Sequence, residues 1–116
     1  MINLAYFEQL RELDADGGMG LAKEVIGIFL DTSEQAVAQV KSAVAQADVV
    51  ALGRAAHSLK SSTANVGAQR LSGYYLQLEK LCRAQEMHAA NEMVADVLRE
   101  HELVVQKLKE VKVQLV

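Results

Sequence analysis

Not one proline interrupts the 116 residues of this chain, and its apolar side chains recur at intervals of three and four. Proline is the strongest helix breaker, costing about 3 kcal/mol at an interior position. The i, i+3, i+4, i+7 spacing lays an apolar stripe along one helix face. Together they restrict the chain to amphipathic helices that must bury their stripes against one another. Leu, Val and Ala carry the apolar load, and Glu, Gln, Lys and Arg, which favour helix, stand between them. The expected class is all-α, and the length suffices for one core and not two, so residues 1–116 are expected to form a single domain.

Five helical segments follow from the pattern. A short one at about Asn3–Leu13 carries Leu4, Phe7, Leu10 and Leu13, and a turn containing Gly17, Gly18 and Gly20 ends it. The second, about Gly20–Gln46, is expected to bury Leu21, Val25, Ile28, Phe29, Ala36, Val40, Ala43 and Val44. Inside it, Thr32-Ser-Glu-Gln35 has the form of a capping box, which fits either a restart of the helix or a polar turn of a continuous one. The third begins after Asp48, a good N-cap, and runs to Asn65, with Gly67 where a left-handed residue is wanted. The fourth starts almost at once, with Leu71, Tyr74, Tyr75, Leu78, Leu81 and Cys82 on its stripe, so segments three and four form an antiparallel hairpin. The fifth, about His88–Lys112, aligns Ala90, Val94, Val97, His101, Val104, Leu108 and Val111. The architecture predicted is an antiparallel up-down four-helix bundle with a short additional N-terminal helix.

Composition narrows the function classes. The net charge is −3 and the basic residues are scattered, without interleaved aromatics, which argues against nucleic-acid binding. No segment approaches a membrane span, and no basic-then-apolar leader opens the chain, so membrane insertion is not expected. One cysteine, Cys82, forms no internal disulfide; a cytoplasmic, monomeric protein is the expectation.

The stretch Leu52–Gly67 is the informative one. Projected at about 100° per residue, Leu52, Ala55, Leu59, Ser62 and Val66 share a face, with Ala56 and Thr63 at its edge, and His57 points roughly opposite, at solvent. Its outward neighbours are Gly53, Lys60, Ser61 and Ala64, three of them small where an exposed helix face is normally crowded with long polar side chains. An imidazole so cleared is within reach of another protein's active site. Lys60, one turn on, offsets the charge a phosphoryl group would bring. Across the hairpin, Gln77 and Glu79 are level with His57. Either can accept from one ring N–H and leave the other nitrogen nucleophilic, and the chemistry favours Glu79.

His57-Ser-Leu-Lys-Ser-Ser-Thr-Ala-Asn-Val-Gly67 resembles the signature of histidine-containing phosphotransfer (HPt) domains, His-x-Leu-Lys-Gly-small-small-x-x-apolar-Gly. The flanks Leu52-Gly-Arg-Ala-Ala and Leu78-Glu79, and the N-terminal Leu10-Arg-Glu-Leu-Asp, are similar too, so the resemblance spans nearly the whole chain. It implies that His57 accepts the phosphoryl group, that Lys60 supports it, that Glu79 orients the ring, and that Gly53, Ser61, Ala64 and Gly67 serve docking. It further implies receiver domains of response regulators and a hybrid sensor histidine kinase as partners, in a multistep phosphorelay. No cofactor is expected on this chain, and Mg²⁺ is expected in the partner receiver. No glycine-rich phosphate loop or ATP lid is present, so a phosphoryl carrier without kinase activity of its own is expected. The alternative is a helical adaptor that binds a receiver or kinase domain without transfer. Ser61 departs from the family's usual glycine but remains small.

The remaining candidates read as structural. His101 lies in an apolar seam and His88 at a helix start. His101-Glu102 lacks the second histidine of a zinc-protease motif, because position 105 is Val. Cys82 sits on a core stripe.

Overall fold

In the computed structural model, which describes residues 20–114, every interval of apolar periodicity becomes a helix: α1 (Gly20–Ala45), α2 (Val49–Asn65), α3 (Gln69–Arg83) and α4 (Met87–Gln114). The N-terminal segment at Asn3–Leu13 lies outside the described residues. Each helix runs antiparallel to the one before it, and α4 packs on α3 and returns to α1, closing an up-down four-helix bundle. The closest-packed pair is α2 with α3.

Three near-identical turns make those reversals possible. At the end of α1 the N–H of Asp48 bonds the carbonyl of Ala43 (2.9 Å) and that of Ala47 bonds Val44 (3.1 Å). Ala68 and Gly67 repeat the arrangement on Thr63 (2.9 Å) and Ala64 (3.0 Å) after α2, as do Glu86 and Gln85 on Leu81 (2.9 Å) and Cys82 (3.0 Å) after α3. Paired 6→1 and 5→2 bonds satisfy carbonyls that a helix end would otherwise orphan, and they need a left-handed residue. That residue is Gly67 (φ 76°) in one turn, but Ala47 (φ 52°) and Gln85 (φ 62°) in the other two. Asp48 caps the next helix, its carboxylate accepting from the Ala51 N–H at 3.0 Å.

The core follows the predicted stripes of α2, α3 and α4 closely. All seven residues foreseen for the α4 seam are buried, His101 included. On α2 the buried line is Leu52, Ala55, Ala56, Leu59, Thr63 and Val66, so Ala56 and Thr63 stand at its centre and Ser62 at its edge. One expectation for α1 needs correction. Ile28 is 57 % exposed, and the buried line instead passes through Ala22, Ile26, Phe29, Ser33, Val40 and Ala43. Val25–Leu30 is apolar at every position but Gly27, so periodicity there has no unique phase. Of the two readings of the Thr32–Gln35 box, the polar turn of a continuous helix holds: α1 is unbroken, and the Thr32 hydroxyl bonds back to the Ile28 carbonyl at 2.8 Å.

One polar pair is sealed inside. Tyr75 is fully buried, and its hydroxyl lies 2.8 Å from His101 Nδ1, while Phe29 stacks on the imidazole at 5.8 Å between centroids. Burial pushes the His101 pKa down to about 4 and that of Tyr75 above its ordinary value, so both are neutral near pH 7.

Two outcomes are expected. Ala47→Gly relieves the left-handed strain and raises stability by about 0.5–1 kcal/mol in urea titrations. For His101 the folded pKa lies below the unfolded 6.5. Between pH 6.5 and about 4 the unfolded chain therefore binds a proton that the native state refuses. Stability then falls as pH drops through that window, with a slope approaching about 1.4 kcal/mol per pH unit, and His101→Phe flattens it.

Candidate functional site

The α2–α3 hairpin is held in register at two levels. Nearer the α1–α2 turn, a Cβ on Gly53 would stand 3.1 Å from the Cβ of Cys82, so the helices touch almost backbone to side chain. Toward Gly67, the Ser72 hydroxyl crosses from α3 to the Lys60 carbonyl at 2.8 Å. Between these two fixed points, His57 of α2 meets Glu79 of α3.

Glu79 is the centre of the arrangement. Its side chain is only 6 % exposed, yet it projects from the edge of the α3 stripe rather than into the apolar core. His57 Nδ1 lies 2.6 Å from Oε2, Lys60 Nζ donates to Oε1 at 2.8 Å, and Arg83 Nη2 donates to Oε2 at 3.0 Å. The bond from Lys60 does most to hold the carboxyl below its ordinary pKa, with His57 and Arg83 adding to it and burial opposing. An ionised carboxylate only accepts, so His57 Nδ1 must donate. In the neutral ring Nε2 then carries a lone pair and no proton. The His57 side chain is 62 % exposed, which presents that lone pair to solvent.

The sequence candidates divide accordingly. His57, Lys60 and Glu79 come together. Gln77 is exposed and lies on the side of α3 that faces α4, beside Arg70 and Tyr74, so it does not reach His57. Ser61 and Ala64 are exposed on α2, as the projection places them. Gly53 is half-buried and sits where α3 approaches most closely, so its small size serves helix packing as well as access. Gly67 is buried in the turn and belongs to the hairpin rather than to the surroundings of the imidazole. His88 is 92 % exposed and pairs with Glu92 at 3.0 Å. Cys82 is buried, with its thiol pKa pushed up by burial and by Glu79.

Sequence reasoning missed Arg83. Its spacing of four from Glu79 was the available signal, since acid-then-base at i, i+4 is a favourable helix pair. It also flanks a cleft of about 490 Å³ next to His57, floored by Val49, Gly53 and Cys82 and edged by Val50 and Arg54.

Comparisons with known proteins identify the family to which this fold belongs. The Hpt domain family model matches residues 24–112. A histidine-containing phosphotransfer protein 2 of Arabidopsis thaliana is 23 % identical over 107 residues, covering 90 % of this chain and 69 % of that protein. The rice protein of the same name (Oryza sativa subsp. japonica) is 31 % identical over 81 residues, 66 % of this chain and 54 % of its own length. The crystal structure of histidine-containing phosphotransfer protein B (HptB) from Pseudomonas aeruginosa PAO1 superposes with a TM-score of 0.86 at 25 % identity, covering 99 % of this chain and 96 % of that one. A helical bundle with an outward histidine braced by a carboxylate is the class that fold and site define. The chain belongs to the Hpt family, the histidine phosphotransfer proteins of phosphorelays.

The ring's proton assignment is open to direct measurement. Long-range ¹H–¹⁵N spectra near pH 8 are expected to show the Nδ1–H form of His57 dominating in the wild type. In Glu79→Leu the ratio relaxes toward that of free imidazole, where the other tautomer is preferred. An unchanged ratio in that variant would remove Glu79 from its orienting role.

Proposed function

We propose that His57 accepts a phosphoryl group from the aspartyl phosphate of one receiver domain and delivers it to the aspartate of another. The observation that carries this reading is the 2.6 Å contact of His57 Nδ1 with an ionised, buried Glu79, which leaves Nε2 unprotonated and exposed. The Nε2 lone pair attacks phosphorus in line, the N–P bond forms, and the P–O bond to the aspartate breaks with its electrons leaving on the carboxylate. No proton has to move, because Nδ1–H stays on Glu79 throughout. The phosphorylated ring is then cationic, and the carboxylate against Nδ1–H stabilises it. Attack by the second aspartate reverses the step and returns a neutral imidazole.

Lys60 and Arg83 supply the charge balance. Both hold Glu79 in the resting state, and both are accessible, with 27 % and 70 % of their side chains exposed. A phosphoryl group on Nε2 adds close to two negative charges within reach of both cations. Mg²⁺ in this reading sits in the receiver's acidic pocket, and no step draws on ATP, so the chain is a carrier and not a kinase. Receivers and the receiver-bearing hybrid kinase dock over the face around His57, where Ser61 and Ala64 keep the approach open. The cleft next to it offers apolar Val50 between Arg54 and Arg83, a fit for an apolar side chain flanked by carboxylates. The interface is small, about 1,200 Å² or less, because one surface serves successive partners.

Incubation with a ³²P-labelled phospho-receiver tests the assignment. Acid-labile, alkali-stable label is expected on the wild type and none on His57→Gln. Lys60→Ala is expected to slow transfer about 100-fold, the low end of the range for losing one preorganised donor at a site of developing charge. Full transfer by His57→Gln would place the phosphoryl group elsewhere, and receiver binding without any label would make the chain an adaptor.

A further inference from the structure

Three cations border His57, and among the described residues two of them are engaged. Lys60 and Arg83 each donate to Glu79 and stand on the α3 side of the ring. Arg54, one turn before His57 on α2, is exposed and pairs with no carboxylate among the described residues. On one side it borders the cleft of about 490 Å³ that His57 also lines, whose one carboxylate among the described residues is Glu79. On the other it meets a groove against α1 whose other polar side chains, Gln39, Ser42 and Gln46, are all uncharged. Neither flank offers the guanidinium a counter-charge that is not already committed.

The direction of the imidazole brings it toward Arg54. A helical side chain leans toward the helix N-terminus and covers the turn before its own Cα. The cleft agrees, since from α2 it takes Val49, Val50, Gly53, Arg54 and His57 and nothing beyond. The ring thus lies over the turn that carries Arg54, whose Cβ at this spacing stands about 5–6 Å from that of His57. Nδ1 is tied to Glu79 on α3, and the two ring nitrogens point away from each other. Nε2 therefore faces away from α3, toward the flank of α2 that Arg54 occupies. Resting on the transfer reading of His57, we propose that Arg54 is the phosphoryl clamp of the site. Its guanidinium donates two N–H groups to two non-bridging oxygens of the phosphoryl group on Nε2, and no proton is transferred. The planar fork of arginine matches such a pair of oxygens. Lys60 and Arg83 have to be shared with Glu79, whereas Arg54 answers the new charge without loosening the carboxylate that fixes the ring. A receiver carboxylate that meets Arg54 on docking gives it up to the phosphoryl group, which carries close to two charges.

Arg54→Gln exchanges one helix former for another at an exposed position, so an unchanged circular dichroism melt is expected. Wild type and variant are labelled from a ³²P-labelled phospho-receiver at saturating receiver concentration. The single-turnover rate of Arg54→Gln is expected to fall at least about ten-fold, the loss of one hydrogen-bonded contact to a charged group. Arg54→Lys, which keeps the charge without the fork, is expected to recover part of that rate. In phosphoprotein freed of receiver, the ³¹P resonance of Arg54→Gln is expected to titrate at higher pH than that of the wild type, because a neighbouring cation favours the dianion. With His57 labelled, either a wild-type rate or an unchanged ³¹P titration in Arg54→Gln would overturn the clamp and leave the transfer reading standing. So would a rate loss that more receiver repairs, which would make Arg54 a docking contact only. Absence of label on wild-type His57 would instead overturn the transfer reading itself.

Discussion

A carboxylate that is nearly out of reach of water must be solvated by the protein, and Glu79 is solvated by three donors from two helices. Most of what is distinctive about this bundle follows from that requirement. Three donors converge only if α2 and α3 lie close and in one register, and the Gly53–Cys82 approach and the Ser72–Lys60 bond bracket the carboxylate and hold them so. Two of the donors are cations, which keeps the carboxyl ionised despite its burial. Ionisation in turn dictates where the imidazole proton sits. The chemistry of an exposed nitrogen is thus set by a group that the partner protein does not need to touch.

An amide at position 79 would do this less completely. It has one accepting oxygen, and its NH₂ would oppose either Lys60 or Arg83 instead of receiving from it. The carboxylate also balances charge in the resting state, in which two cations otherwise repel each other on one small surface. In the transfer proposed for His57, phosphorylation would change the sum, since the added group would compete with Glu79 for the same two cations. On that proposal the two cations, already gathered at Glu79 beside His57, would lower the reorganisation that the transfer demands.

Much of the architecture could be read from the residues, and the failures have definite causes. The stripes on α2, α3 and α4 were legible because polar residues bound them on both sides; that of α1 lost its phase where Val25–Leu30 is apolar almost throughout. Of the three left-handed turn residues only Gly67 announced itself, since Ala47 and Gln85 adopt that conformation with no glycine to signal it. His57 was legible from its outward direction and Lys60 from its spacing. The hairpin spacing alone left Gln77 and Glu79 open, with chemistry and the family motif favouring Glu79, because both are level with His57 and differ in which flank of α3 they occupy. Which flank faces α2 depends on the hand of the bundle, and a stripe pattern carries no information about hand. Gly53 looked like a cleared surface, yet the reason for a glycine there is a neighbouring helix that only the packed structure reveals.

Two of the three histidines bridge between helices, and their difference shows how partner and solvent decide the chemistry of one residue type. His57 donates to a carboxylate and turns its second nitrogen to water, where in the neutral ring it carries a lone pair. His101 pairs with a phenol inside the seam, and burial lowers its pKa to about 4, which holds the ring neutral. Exchanging the partners would exchange the roles. A phenol donating to His57 Nδ1 would place the proton on Nε2 and leave no lone pair for phosphorus, while a carboxylate facing His101 would bring an unbalanced charge into the seam. Glu79 can be ionised because Lys60 and Arg83 reach it from the surface, and among the described residues no cation pairs with Tyr75. The position of each histidine relative to the bundle's edge therefore fixes which partner it can have, and the partner fixes which of its nitrogens can react.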